Sequence, residues 1–163
     1  MLYTAPDPLP ALFSRPSVFI AGGISNCPDW QATLAHSLDT ELYDVINPRR
    51  NTGFDRTGNT AGEQIAWEHS ALAKVDSCVF WFPCETLCPI TLFELGKLLV
   101  RASQKSVRLV VGWHPDYQRA FDLQVQIALE HIPLSHMLYA APGWDEFVNV
   151  VAQNWGHKSK DTK

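Results

Sequence analysis

The 163-residue sequence holds no apolar run approaching the length of a membrane span and no block of like charge. The first lack excludes a helix through a bilayer, which takes about 20 consecutive apolar residues. The second argues against a nucleic-acid partner. Thirteen Lys and Arg against 17 Asp and Glu leave a net charge of −4, and no basic stripe is present to neutralise phosphates. Cysteine is scarce too: Cys27, Cys78, Cys84 and Cys88 form no CxxC pair and have no histidine at zinc-finger distance, so neither a metal site nor a disulfide framework is expected. The six histidines are scattered without an HxxxH or Ser-His-Asp order, and none is assigned a catalytic role. Residues 1–16, "MLYTAPDPLPALFSRP", carry four prolines and lack a basic-then-apolar leader pattern. They are expected to form an extended arm, and a cytoplasmic location follows by default.

What is present is the composition of a globular domain, 46% hydrophobic and 18% charged, long enough to bury about two thirds of its unfolded surface. Short β-branched runs alternate with amphipathic stretches, the pattern of a parallel sheet with helices on both faces. Strands are predicted at "SVFIAG" (17–22), "YDVINP", "DSCVFWF", "SVRLVVG" and, more weakly, "HMLYAA". Helices are predicted over 29–42, over "AGEQIAWEHSALAKV", from Pro89 through Leu99, over "DYQRAFDLQVQIALE" and over "WDEFVNVVAQNW". The reading is one α/β domain over 17–155, doubly wound and flavodoxin-like, with five parallel strands and a frayed tail at 156–163. The polar stretch "RRNTGFDRTGNT" is long and glycine-bearing enough for a lid or binding loop.

In open sheets of this kind ligands bind at the carboxyl ends of the strands. Three segments fall there: "AGGISN", "PCETLCPITLFELG" and "GWHPDYQR". Gly22 and Gly23 in the first lack the spacing of GxGxxG and the lysine of a P-loop, so they mark a tight turn or a close approach of ligand and no more. The second raises a sharper question. Pro89 suits a first helical turn, yet the apolar helix that follows carries Glu94 and then Gly96, which costs roughly 1 kcal/mol against alanine and implies that another backbone or a ligand comes near. Glu94 is either a surface partner of Lys97 or a crevice carboxylate kept ionised by helix-end dipoles. Glu68 in "QIAWEHSAL" and Asp122 beside Arg119 have equally plain surface readings.

In combination, "VFIAGGI", "QIAWE" ahead of "VDSCVFWF", "PITLFELG" and "HPDYQRAFD" resemble the nucleoside 2-deoxyribosyltransferases, especially a small divergent branch, over about residues 17–130. The resemblance implies that Glu94 is the nucleophile and that Glu68 lies beside the nucleobase. It also implies that Asp122, five residues after Tyr117, reaches the sugar 5′-hydroxyl of a neighbouring subunit, which requires a homo-oligomer. Six residues before the nucleophile, transferases of the family carry aspartate and related monophosphate hydrolases carry serine. Here Cys88 stands at that position, with Glu85 or Thr86 available from the same loop. The aromatic C-terminal ending of some members is missing.

Such a site cleaves an N-glycosidic bond without metal or organic cofactor. A carboxylate stabilises an oxocarbenium-like transition state and takes the sugar as an ester, while a second acid serves the departing base. Phe19, Ile24 and Trp30 are candidates to sandwich a planar base. The expected activity is base exchange on a 2′-deoxynucleoside with a free nucleobase, accompanied by some hydrolysis. The alternatives are an N-glycosidase of nucleosides or deoxynucleoside 5′-monophosphates and, from another class, a nucleotide-binding sensor without turnover.

Overall fold

A computed structural model describes residues 1–50, 59–139 and 142–157. Its sheet has six parallel strands: β1 (Leu2–Thr4), β2 (Ser17–Gly22), β3 (Asp44–Asn47), β4 (Ser77–Phe82), β5 (Arg108–Trp113) and β6 (Met137–Tyr139), in the spatial order β1-β3-β2-β4-β5-β6. The last five reproduce the flavodoxin-type order, with the reversal between β2 and β4. The count of five therefore needs correcting to six. The added strand lies in the supposed arm: Leu2, Tyr3 and Thr4 register with Val45, Ile46 and Asn47, and Ala5 donates its N–H to the Asn47 carbonyl at 3.0 Å. Three paired residues followed by prolines make an acceptable edge strand but leave too short a run to stand out in sequence.

Among the described residues, five helices cover the sheet: α1 (Trp30–Ser37), α2 (Asn59–Leu72), α3 (Pro89–Ser103), α4 (Ala120–Leu129) and α5 (Trp144–Trp155). The two-residue period of β2 divides the core. Val18 and Ile20 join Trp30, Leu34, Phe147, Val151 and Trp155 under α1 and α5. Phe19 and Ala21 join Leu72, Leu95, Leu98, Leu123 and Ile127 under α2, α3 and α4.

Helix α1 stops at Ser37, short of the predicted Leu42. Leu38 turns extended, is fully buried and bridges to Gly156, while Asp39 donates its N–H to the Trp155 carbonyl and caps the turn at Glu41 and Leu42 with its carboxylate. Tertiary pairing with the end of α5 thus outcompetes helical continuation. Residues 51–58 of the suggested lid, Ala140 and Ala141 of the last strand motif, and residues 158–163 of the tail lie outside the described residues.

Candidate active site

A cleft of about 720 Å³ opens over the carboxyl ends of β2 and β3, walled by α2 and by the start of α3. That volume suits a small organic ligand. Gly22 and Gly23 form its edge for a steric reason. A Cβ on Gly22 would stand 2.3 Å from the Trp30 ring and from the Trp81 carbonyl oxygen. On Gly23 it would stand 2.7 Å from Pro83 and Thr86 and 2.9 Å from the Cys88 sulfur. The β4–α3 loop is therefore pressed directly onto this turn. The Gly23 carbonyl points the other way, accepting hydrogen bonds from Trp30 Nε1 at 2.8 Å, Cys27 Sγ at 3.0 Å and Gln31 Nε2 at 3.3 Å.

Cys88 is the N-cap residue of α3 and adopts the left-handed conformation (φ 50°, ψ 49°), uncommon for a residue other than glycine. Its side chain gives the helix no capping hydrogen bond and instead lines the cleft, where burial pushes the thiol up to about 12. Tyr117 braces this loop from behind, donating its hydroxyl proton to the Leu87 carbonyl at 3.0 Å.

Glu94 on α3 and Glu68 on α2 both line the cleft. Burial, followed by the negative charge of Glu68, raises Glu94 to about 8, with Lys97 acting weakly in the opposite direction. The expected help from the helix dipole does not prevail, because Glu94 lies in the second turn of α3 and the dipole acts within the first. Lys97 is not a close partner either: its ammonium sits 4.2 Å from the centroid of the Phe93 ring. Nor does Gly96 make room for anything among the described residues, since a Cβ there would meet none of their atoms within 4 Å.

Burial also raises Glu68, opposed by a hydrogen bond from Gln64 and by the charge of Arg50. Gln64 is buried on α2 one turn before Glu68 and donates from Nε2 to Glu68 Oε1 at 2.8 Å and to the Pro48 carbonyl at 2.7 Å. Arg50 Nε donates to Gln64 Oε1 at 2.6 Å, and Arg50 Nη2 is buried with no hydrogen-bond partner among the described residues. Arg49 is turned to structural work, binding the carbonyls of Cys27 and Pro28 and the Gln31 side chain.

Of the residues singled out from sequence, Phe19, Gly22, Gly23, Ile24, Glu68, Cys88 and Glu94 meet in this cleft, with Phe19 fully buried at its base. Trp30 and Glu85 do not. They line a separate hollow of about 290 Å³ with Trp81, His114 and Trp144, on the α1/α5 side of the Gly22–Gly23 turn. Trp30 is core, edge-to-face with Trp144 at 6.1 Å, and cannot sandwich a base against Phe19 across the sheet. Asp122 also stands apart, exposed on α4 with Arg119 at 3.5 Å. Sequence reasoning missed Gln64 and Arg50. The i,i+4 spacing of Gln64 and Glu68 was the available signal.

A model of the nucleoside 2-deoxyribosyltransferase-like family matches residues 15–117. The chain belongs to that family. No curated protein sequence matches it. The region that carries the family match runs from the start of β2 to Tyr117, so it contains both carboxylates, the glycine turn and Cys88, whereas Asp122 lies beyond it. No group of three or more His, Cys, Asp or Glu side chains among the described residues is arranged to hold a metal ion.

Proposed function

We propose that this family member is a nucleoside 2-deoxyribosyltransferase that exchanges the base of a 2′-deoxynucleoside through a deoxyribosyl ester on Glu94, with hydrolysis as a side reaction. The observation that carries the reading is the facing of two desolvated carboxyls, Glu94 and Glu68, across a cleft floored by Phe19. The reacting form of the pair holds a single proton, on Glu68: an oxygen of ionised Glu94 bonds to the anomeric carbon as the C1′–N bond breaks, and the bonding pair leaves with the base, which takes that proton from Glu68 directly or through water. Positive charge developing on the sugar favours the ionised form of Glu94 at the moment it is needed. A second base then attacks the ester from the face vacated by the first, returning the proton and giving net retention. The apolar base end is supplied by Phe19 and Ile24, with Ile65 and Ile90 at the rim.

The proposal includes a second copy of the chain whose Asp122 completes the sugar site, since that carboxylate lies outside its own cleft. The deciding experiment incubates the protein with a 2′-deoxynucleoside and a different free base. A new deoxynucleoside, absent with Glu94→Ala, supports the reading, and release of base with no exchange overturns transfer in favour of hydrolysis. One feature favours the monophosphate hydrolase as a second reading: the first turn of α3 faces the cleft with no side-chain cap, and helix N-termini attract anions. Faster base release from a 5′-monophosphate than from its nucleoside would select it.

A further inference from the structure

We propose that Gln64 is the positioning residue that fixes which oxygen of Glu68 carries the transferable proton, and that Arg50 fixes Gln64. This deepens the reading of Glu68 as the acid that serves the departing base. Hydrogen-bond capacity fixes the arrangement. A guanidinium only donates and a backbone carbonyl only accepts. Arg50 Nε at 2.6 Å therefore demands the oxygen of the Gln64 amide, and the Pro48 carbonyl at 2.7 Å demands its nitrogen. The amide orientation is thus set at both ends, and its remaining N–H must go to Glu68 Oε1 at 2.8 Å. Glu68 Oε1 is in turn committed as an acceptor. Any proton on that carboxyl sits on Oε2, the oxygen left for the cleft.

All three groups of the Gln64 amide are used, and the residue is 6% exposed, so water does not compete for them. Among the described residues, the charges that act on Glu68 are Arg50, which follows β3, and Glu94 from α3. The hydrogen bond from Gln64 and the charge of Arg50 favour its ionised form, while burial opposes it. Without the clamp the carboxyl is free to rotate and to hold its proton on either oxygen, half of them turned from the base. Its affinity for the proton rises as well.

The test compares the full-length chain with Gln64→Met, close in length and without donors, and with Gln64→Glu, which replaces the donated N–H by a second acceptor. Carbon-13 titration of the Glu68 carboxyl is read alongside the pH profile of base release. In Gln64→Met the Glu68 titration is expected to move up by about one pH unit. The same variant should lose roughly tenfold in kcat with KM within about twofold, and the alkaline limb of kcat should follow the titration upward. Gln64→Glu should shift further in the same direction. An unmoved Glu68 titration in a folded Gln64→Met chain overturns the clamp, as does a loss confined to KM. Should Gln64→Met fail to fold, Arg50→Met leaves the amide in place but unanchored, and an unshifted Glu68 there overturns the role of Arg50 and with it the proposal. A wild-type chain inert on every deoxynucleoside would sink the transferase reading instead, and the titration would still decide whether Gln64 holds Glu68.

Discussion

At the scale of single residues, Glu94 shows what a cleft does to a carboxyl. It lies too deep in α3 for the dipole and too far from Lys97 for a tight pair, so desolvation and the neighbouring Glu68 dominate. Its pKa of about 8 stands above the ordinary value of 4.5, so the folded chain keeps a proton that the unfolded chain releases between those limits. Stability must therefore fall as pH rises across this window and reach its floor above about 8. Glu94→Gln keeps the shape and removes the penalty. Its Tm should match wild type near pH 4 and exceed it at pH 8.5 by several degrees or more, while base release is lost. Equal Tm values at both pH settings in differential scanning calorimetry would mean that Glu94 ionises freely and is not the buried group described.

At the scale of elements, the legible parts were those whose pattern is local. The apolar run at 17–22 and the amphipathic stretch at 144–155 became β2 and α5 with the expected bounds, because each buries one continuous set of its own residues. Elements fixed by a distant partner were not legible: β1 exists by pairing with β3, and α1 ends where Leu38 meets Gly156. The same division runs through the site. Glu94, Glu68 and the glycines were visible as motifs. The Arg50–Gln64 clamp depends on where Pro48 and Arg50 stand against α2, which no spacing encodes. Trp30 was misplaced for a related reason, since the face on which α1 lands is decided by the turn before it. That turn gives the element-scale prediction. Gly23→Ala should drive the β4–α3 loop away, carrying Thr86, Cys88 and the start of α3 with it. Overpacking of this kind costs about 1–3 kcal/mol, and base release should drop at least tenfold because Glu94 rides on the displaced helix. A variant with wild-type Tm and turnover would show that the loop yields without moving the site.

At the scale of the whole molecule, the described surface carries apolar side chains where solvent is a poor neighbour. Ile90 and Phe93 on α3 are 64% and 62% exposed, and Phe121 and Leu129 on α4 are 77% and 64% exposed. Exposed apolar side chains mark interfaces where they gather into a patch, and Gly96 on α3 leaves open space among the described residues beside Phe93 where a second backbone would fit. Asp122 shares α4 with Phe121, pointing outward with Arg119, so it reaches a cleft only if that cleft belongs to another copy. Ile90, which lines the rim of the cleft as well as the exposed face of α3, joins the two surfaces. Phe93→Glu should therefore shift the chain to a smaller species in sedimentation, since a buried carboxylate opposes association. Complementation is the stronger measurement. Glu94→Ala and Asp122→Ala are each expected to be inactive alone. In a mixed dimer one of the two clefts receives Glu94 from one chain and Asp122 from the other, so co-refolded mixtures should recover up to about a quarter of wild-type activity, half of one site in each statistically formed pair. Mixed assemblies verified by mass and still inactive would place Asp122 outside the neighbouring site, and an active Asp122→Ala chain would remove it from the chemistry altogether.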